Sequence, residues 1–104
     1  MEIPNLTFIK EIAGDDKVFQ KSILEILKKE FPEEVSLFKT NFSLKKYEDA
    51  ANNVHKIKHK IGLLGLEEAS EKASEFEKEL KKGIITLHPT FLEILNKIHV
   101  YLTN

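Results

Sequence analysis

Ala50, Val54, Ile57, Ile61 and Leu64 recur at spacings of four, three, four and three, the stripe of a helix lying on a core. The same period runs through most of the chain. It predicts a short first helix from Leu6 to Ala13, with Gly14 as its stop. Asp15 reads as the cap of a long second helix whose apolar positions are Val18, Phe19, Ile23, Leu27, Phe31, Val35, Leu37, Phe38 and Phe42. Pro32 falls inside that pattern. Because it lacks a backbone donor and crowds the preceding turn, it is expected to bend the helix or divide it after Glu30.

Ser43 is expected to begin the next connection and to cap the helix after it. A third helix spans Lys45 to Leu63, and Gly65 marks a tight turn into a fourth, Glu67 to Lys82, which buries Ala69, Ala73, Phe76 and Leu80. Gly83 closes it. His88-Pro89 opens a last helix through Leu102, with a core stripe of Leu92, Leu95, Ile98 and Leu102. The seven phenylalanines lie at helical spacings and read as core. The predicted fold is all-α, an antiparallel four-helix bundle with a short extra N-terminal helix, forming one domain over residues 1–104.

Composition narrows the picture. With 41% hydrophobic and 32% charged residues, the chain is globular rather than disordered. No apolar run approaches membrane-spanning length, and Met1-Glu2-Ile3-Pro4-Asn5 lacks the basic start and apolar block of a secretory signal. Cysteine is absent, which removes disulfides, thiol catalysis and thiolate metal sites. A cytoplasmic location and a mostly monomeric state are expected. Sixteen basic and seventeen acidic residues leave a net charge of -1, so no bulk basic field argues for nucleic acid. The charge is locally uneven: residues 55–60 read His-Lys-Ile-Lys-His-Lys, whereas the next stretch holds Glu67, Glu68, Glu71, Glu75, Glu77 and Glu79. A local positive patch on a near-neutral domain suits a small anion or an acidic partner surface.

His55 stands out within that patch. At about 100° per residue it lies roughly 140° from the centre of the apolar stripe, so its imidazole faces water with Lys58 one turn along. Free imidazole titrates near about 6.5 and is a good nucleophile near neutral pH. Attack on phosphorus would give a labile N–P bond suited to onward transfer. Phosphoryl transfer asks the protein mainly to position the ring and offset negative charge. Lys58 can bring an ammonium near phosphoryl oxygens, while Lys56 and Lys60 are expected to point elsewhere, toward water or a partner.

The stretch His55-Lys56-Ile57-Lys58-His59-Lys60-Ile61-Gly62-Leu63-Leu64-Gly65 resembles the motif of histidine-containing phosphotransfer (HPt) domains: a His, a Lys three residues later, a small residue next, then Leu-Gly. Ile12-Ala13-Gly14-Asp15-Asp16-Lys17-Val18-Phe19 is similar to the turn that opens these domains. Phe31-Pro32-Glu33-Glu34 resembles the bend of their long helix, and Tyr47-Glu48-Asp49-Ala50-Ala51 the lead-in to the phosphorylated one. The resemblance covers nearly the whole chain. It implies a phosphorelay carrier in which His55 accepts a phosphoryl group from a receiver-domain aspartate and passes it to another receiver. Receiver domains of response regulators and hybrid histidine kinases would be its partners, and it would need no cofactor of its own. It also implies that Glu77 hydrogen-bonds the ring nitrogen that is not phosphorylated, although a solvated helix glutamate is the ordinary alternative. His59 departs from the family pattern, which has a small residue there. An imidazole at that position can donate to phosphate or crowd the approach, which bears on partner choice and rate.

Two other functions fit the same residues. One is an adaptor of the same fold that docks receivers without transferring phosphate. The other is a metal-binding bundle, since His55 and His59 sit at i and i+4. No carboxylate lies between them and the neighbouring lysines repel a cation, so metal ranks last. No Gly-rich phosphate loop is present, which argues against autonomous kinase activity. His88 reads as a helix-start residue and His99 as a surface or partly buried one.

Overall fold

A computed structural model describes residues 2–104. Among these the chain forms α1 (Thr7–Ala13), α2 (Lys17–Ser43), α3 (Tyr47–Leu63), α4 (Glu67–Lys81) and α5 (His88–Thr103), with no strand. The all-α expectation therefore holds, with α2 to α5 forming the bundle. None of these helices is long and apolar enough to cross a membrane.

Asp16, not Asp15, caps α2: its carboxylate accepts from the Phe19 backbone N–H at 2.9 Å. Nor does Pro32 divide the helix, which runs unbroken for 27 residues. Proline removes one hydrogen bond to the Lys28 carbonyl. Leu27 and Phe31 before it and Phe38 after it are all buried, so packing secures both halves.

Three of the four bundle helices end alike. After α2, Lys45 N–H bonds the Phe42 carbonyl and Lys46 N–H that of Asn41. Gly65 and Leu66 repeat the pair onto Gly62 and Ile61, and Gly83 and Ile84 onto Leu80 and Glu79. This is the Schellman arrangement, which satisfies the orphan carbonyls but needs a left-handed residue. Glycine fills that place at Gly65 and Gly83, whereas Lys45 adopts it at φ 59°. That is why α3 starts at Tyr47 rather than Lys45. Ser43 does not cap it; Ser43 is the last residue of α2, and α3 begins without a side-chain cap.

The core gathers α2 to α5 around Phe38, Phe76 and Phe91, with centroid separations of 6.0, 5.1 and 5.2 Å. In α5 the buried stripe is Phe91, Leu95, Ile98 and Leu102; Leu92, expected inside, is only half-buried because Phe91 takes the inward position. Ala69 is likewise half-buried. The N-terminal segment lies across the α3–α4 turn. Asn5 N–H bonds the Leu64 carbonyl at 2.9 Å, and Ile9 enters the core. The Glu2 carboxylate accepts from the Glu68 and Ala69 N–H groups at 2.7 and 3.0 Å, capping α4, while Lys97 Nζ donates to the Glu2 carbonyl at 3.1 Å.

The two kinds of left-handed residue respond oppositely to substitution. Lys45→Gly should stabilise the fold by about 0.5–1 kcal/mol, the side-chain strain relieved outweighing the added chain entropy. Gly65→Ala should destabilise it by more than about 1 kcal/mol, because φ 76° is strained for a residue with a Cβ and the added methyl would displace the Asn5 side chain. Urea midpoints of the two variants, measured against the parent chain, check both signs.

Candidate functional site

The outward face of α3 carries His55, and α4 supplies its nearest polar neighbour. Buried alanines on both helices, Ala50 and Ala51 in α3 and Ala73 in α4, allow a close approach of the two axes. Glu77 comes directly after the buried Phe76, so it lies at the edge of the inward face of α4. Its Oε1 sits 3.2 Å from His55 Nδ1 and 3.1 Å from Lys58 Nζ. Its Oε2 lies 3.6 Å from Lys81 Nζ. The carboxylate is nearly covered at 12% exposure, whereas the His55 side chain remains 52% exposed. One carboxylate thus anchors a ring whose outer part is open to a ligand.

Burial pushes the Glu77 carboxyl upward, but the hydrogen bonds and charges of Lys58 and His55 outweigh it and hold the group below the usual carboxylate range. An ionised carboxylate only accepts, so Nδ1 must carry the proton of this contact. In neutral His55 that leaves Nε2 with its lone pair, the tautomer required for Nε2 to act as a nucleophile.

His59 stands one turn along, its ring centroid 4.9 Å from that of His55 and tilted by 59°. The structure therefore brings His55, Lys58 and Glu77 into one hydrogen-bonded group with His59 beside it. Lys60 departs from expectation. Instead of facing water or a partner, it binds Glu34 at 2.7 Å and Glu30 at 3.2 Å on α2. Burial lowers its pKa, yet these two carboxylates overcome that and leave it raised. Lys56 stays exposed. Lys81 was not foreseen at the site, although Glu77 and Lys81 have the i, i+4 spacing of a helical ion pair. Among the described residues, no three His, Cys, Asp or Glu side chains form a group able to hold a metal.

A depressed carboxylate gives stability that is complete above its unfolded value, 4.5 for glutamate, and is lost as pH falls through the lower folded value. Glu77→Gln should flatten that acid-side loss. Urea midpoints of parent and variant between neutral pH and pH ~3 should converge at the acid end; parallel curves would contradict the assignment.

Comparison with known proteins places the chain in a family. The family model of the Hpt domain matches residues 22–103. No curated protein and no solved structure matches the chain. The chain belongs to the Hpt domain family, whose members are helical bundles that carry phosphoryl groups on histidine in two-component signalling. Hpt domains are carriers rather than kinases and interact with receiver domains in phosphorelays.

Proposed function

We propose that this Hpt domain uses His55 as its phosphoacceptor, taking the group from a phosphoaspartate of one receiver domain and passing it to an aspartate of another response-regulator receiver. The observation that carries the reading is the half-exposed His55 ring held through Nδ1 by Glu77. In the forward step the Nε2 lone pair attacks phosphorus. The N–P bond forms as the aspartyl O–P bond breaks, and the partner keeps a carboxylate. Nδ1 retains its proton, so the phosphorylated ring gains positive charge, which the Glu77 carboxylate offsets. The reverse sequence delivers the group to the second receiver.

Lys58 is within one turn of His55 and bridges to Glu77. In this reading its ammonium shifts part of its contact to the incoming phosphoryl oxygens. His59 modulates access: at 4.9 Å between centroids, its ring borders the space a phosphoryl group would enter. The receiver would dock on this face of α3 and the adjoining flank of α2. There Glu30 and Glu34 mark the edge bordering α3, and Ile26 and Leu37 fall on the same flank at helical spacing while remaining 52% and 57% exposed. Of these, Leu37 would supply apolar contact near the level of His55, and Lys56 the positive charge. The chain acts as one domain over residues 1–104, monomeric and cytoplasmic, with the aspartate contributed by the partner.

Incubation with a phosphorylated receiver, followed by intact mass at neutral pH and after acid, tests the reading. An acid-labile phosphoryl adduct should appear and be absent in His55→Gln. Docking without any adduct across several receivers would instead favour a non-transferring adaptor, with His59 as the obstruction. Lys58→Ala should slow transfer or shorten phosphohistidine lifetime by roughly tenfold, the worth of one charge-assisted hydrogen bond. His59→Gly should change receiver preference or rate; rapid-quench transfer kinetics with two receivers resolve both variants.

A further inference from the structure

An open groove of about 740 Å³ runs between α2 and α5, within the roughly 300–1,000 Å³ typical of small-molecule sites. None of its lining residues belongs to α3 or α4, the helices that hold His55 and Glu77. Its floor is apolar: Phe31, Val35, Phe42, Leu92 and Leu95. At one end Phe42 and His88 stack with centroids 3.7 Å apart and planes 8° from parallel. The two helices run antiparallel, so Pro32 and His99 line the other end and Lys39 lies between. Pro32 to Ser43 spans about 16 Å of helix at 1.5 Å per residue, room for an alkyl chain of medium length.

Charge decides what fits. Among the described residues no aspartate or glutamate lines the groove, while Lys39 and two histidines do. An apolar trough bearing a cation and no anion complements an amphiphile with a negative head and repels one with a positive head. Burial pulls His88 below the ordinary histidine range, so near neutral pH its imidazole offers a hydrogen bond rather than a charge.

We propose that the α2–α5 groove binds a free medium-chain carboxylate, its alkyl body on the Phe42–Leu92–Leu95 floor and its head paired with Lys39. The site is separate from phosphotransfer and does not depend on the role assigned to His55.

Nuclear magnetic resonance titration of the full chain with sodium decanoate, below its micelle concentration, tests it beside decyltrimethylammonium, which has the same tail and the opposite charge. Decanoate should bind saturably at one site and shift resonances of Phe42, His88 and Leu92. The cationic amphiphile should bind at least about tenfold more weakly. Lys39→Glu, an exposed change, should weaken decanoate about tenfold and leave phosphorylation of His55 unaltered. Leu92→Trp should fill the groove and abolish binding. Equal affinity for the two head groups, or shifts spread beyond α2 and α5, would overturn the proposal. Sedimentation showing a dimer that decanoate dissociates would also overturn it, by assigning the groove to a second copy of the chain.

Discussion

Phe38 is the residue on which the bundle closes. Fully buried, its ring meets Phe42 on its own helix, Phe76 on α4, and Phe91 and His88 on α5. Tilted and edge-on contacts of this kind favour particular relative orientations of the rings, because the positive edge of one faces the electron-rich face of another. Fixing Phe76 fixes the rotation of α4 about its axis, and Glu77 is the next residue along. The polar site is therefore an outcome of an apolar constraint one residue away. A shape change in the phenylalanine cluster would move the carboxylate that holds His55.

Charge completes what packing begins. α3 is clamped on both flanks by ion pairs of matching sense, lysine from α3 and carboxylate from its neighbour. Lys60 reaches Glu30 and Glu34 on α2, and Lys58 reaches Glu77 on α4. The lysine-rich stretch that looks uniformly cationic in the sequence is thus divided. Lys58 and Lys60 are engaged with partners, and Lys56 stays exposed in the outward strip with His55 and His59. The local positive field is narrower than composition suggests.

Much of this was legible in the periodicity. The stripe from Ala50 to Leu64 located α3 and turned His55 outward, and the Hpt resemblance extended to a matched segment covering most of the chain. The structure brings His55, Lys58 and Glu77 together, including a Lys58–Glu77 contact that the resemblance did not imply, a finding about geometry rather than chemistry. What stayed hidden depended on non-local or stereochemical choices. Asp15 and Asp16 are both competent caps, and only the backbone path determines which reaches the Phe19 N–H. Lys60 sits between stripe and solvent on a helical wheel, so its direction is decided by acids on another helix. Phe91 and Leu92 are adjacent apolar residues, and the facing phenylalanines select the larger one for the core. Pro32 argued for a bend or a division, and the helix stays undivided with buried side chains on either side of it.

The strap formed by residues 2–9 has a bearing on what counts as the unit that folds. The match to the family model begins at residue 22, yet Ile9 fills a place in the core, Glu2 closes the first turn of α4 and receives Lys97 from α5, and Asn5 seals the turn at Leu64. A polypeptide trimmed to the recognisable segment would retain every residue assigned to the phosphoryl chemistry. It would also expose the socket of Ile9 and leave the α3–α4 corner unfastened. That corner terminates the helix bearing His55 and begins the one bearing Glu77, so residues outside the matched segment brace the two helices that carry the site.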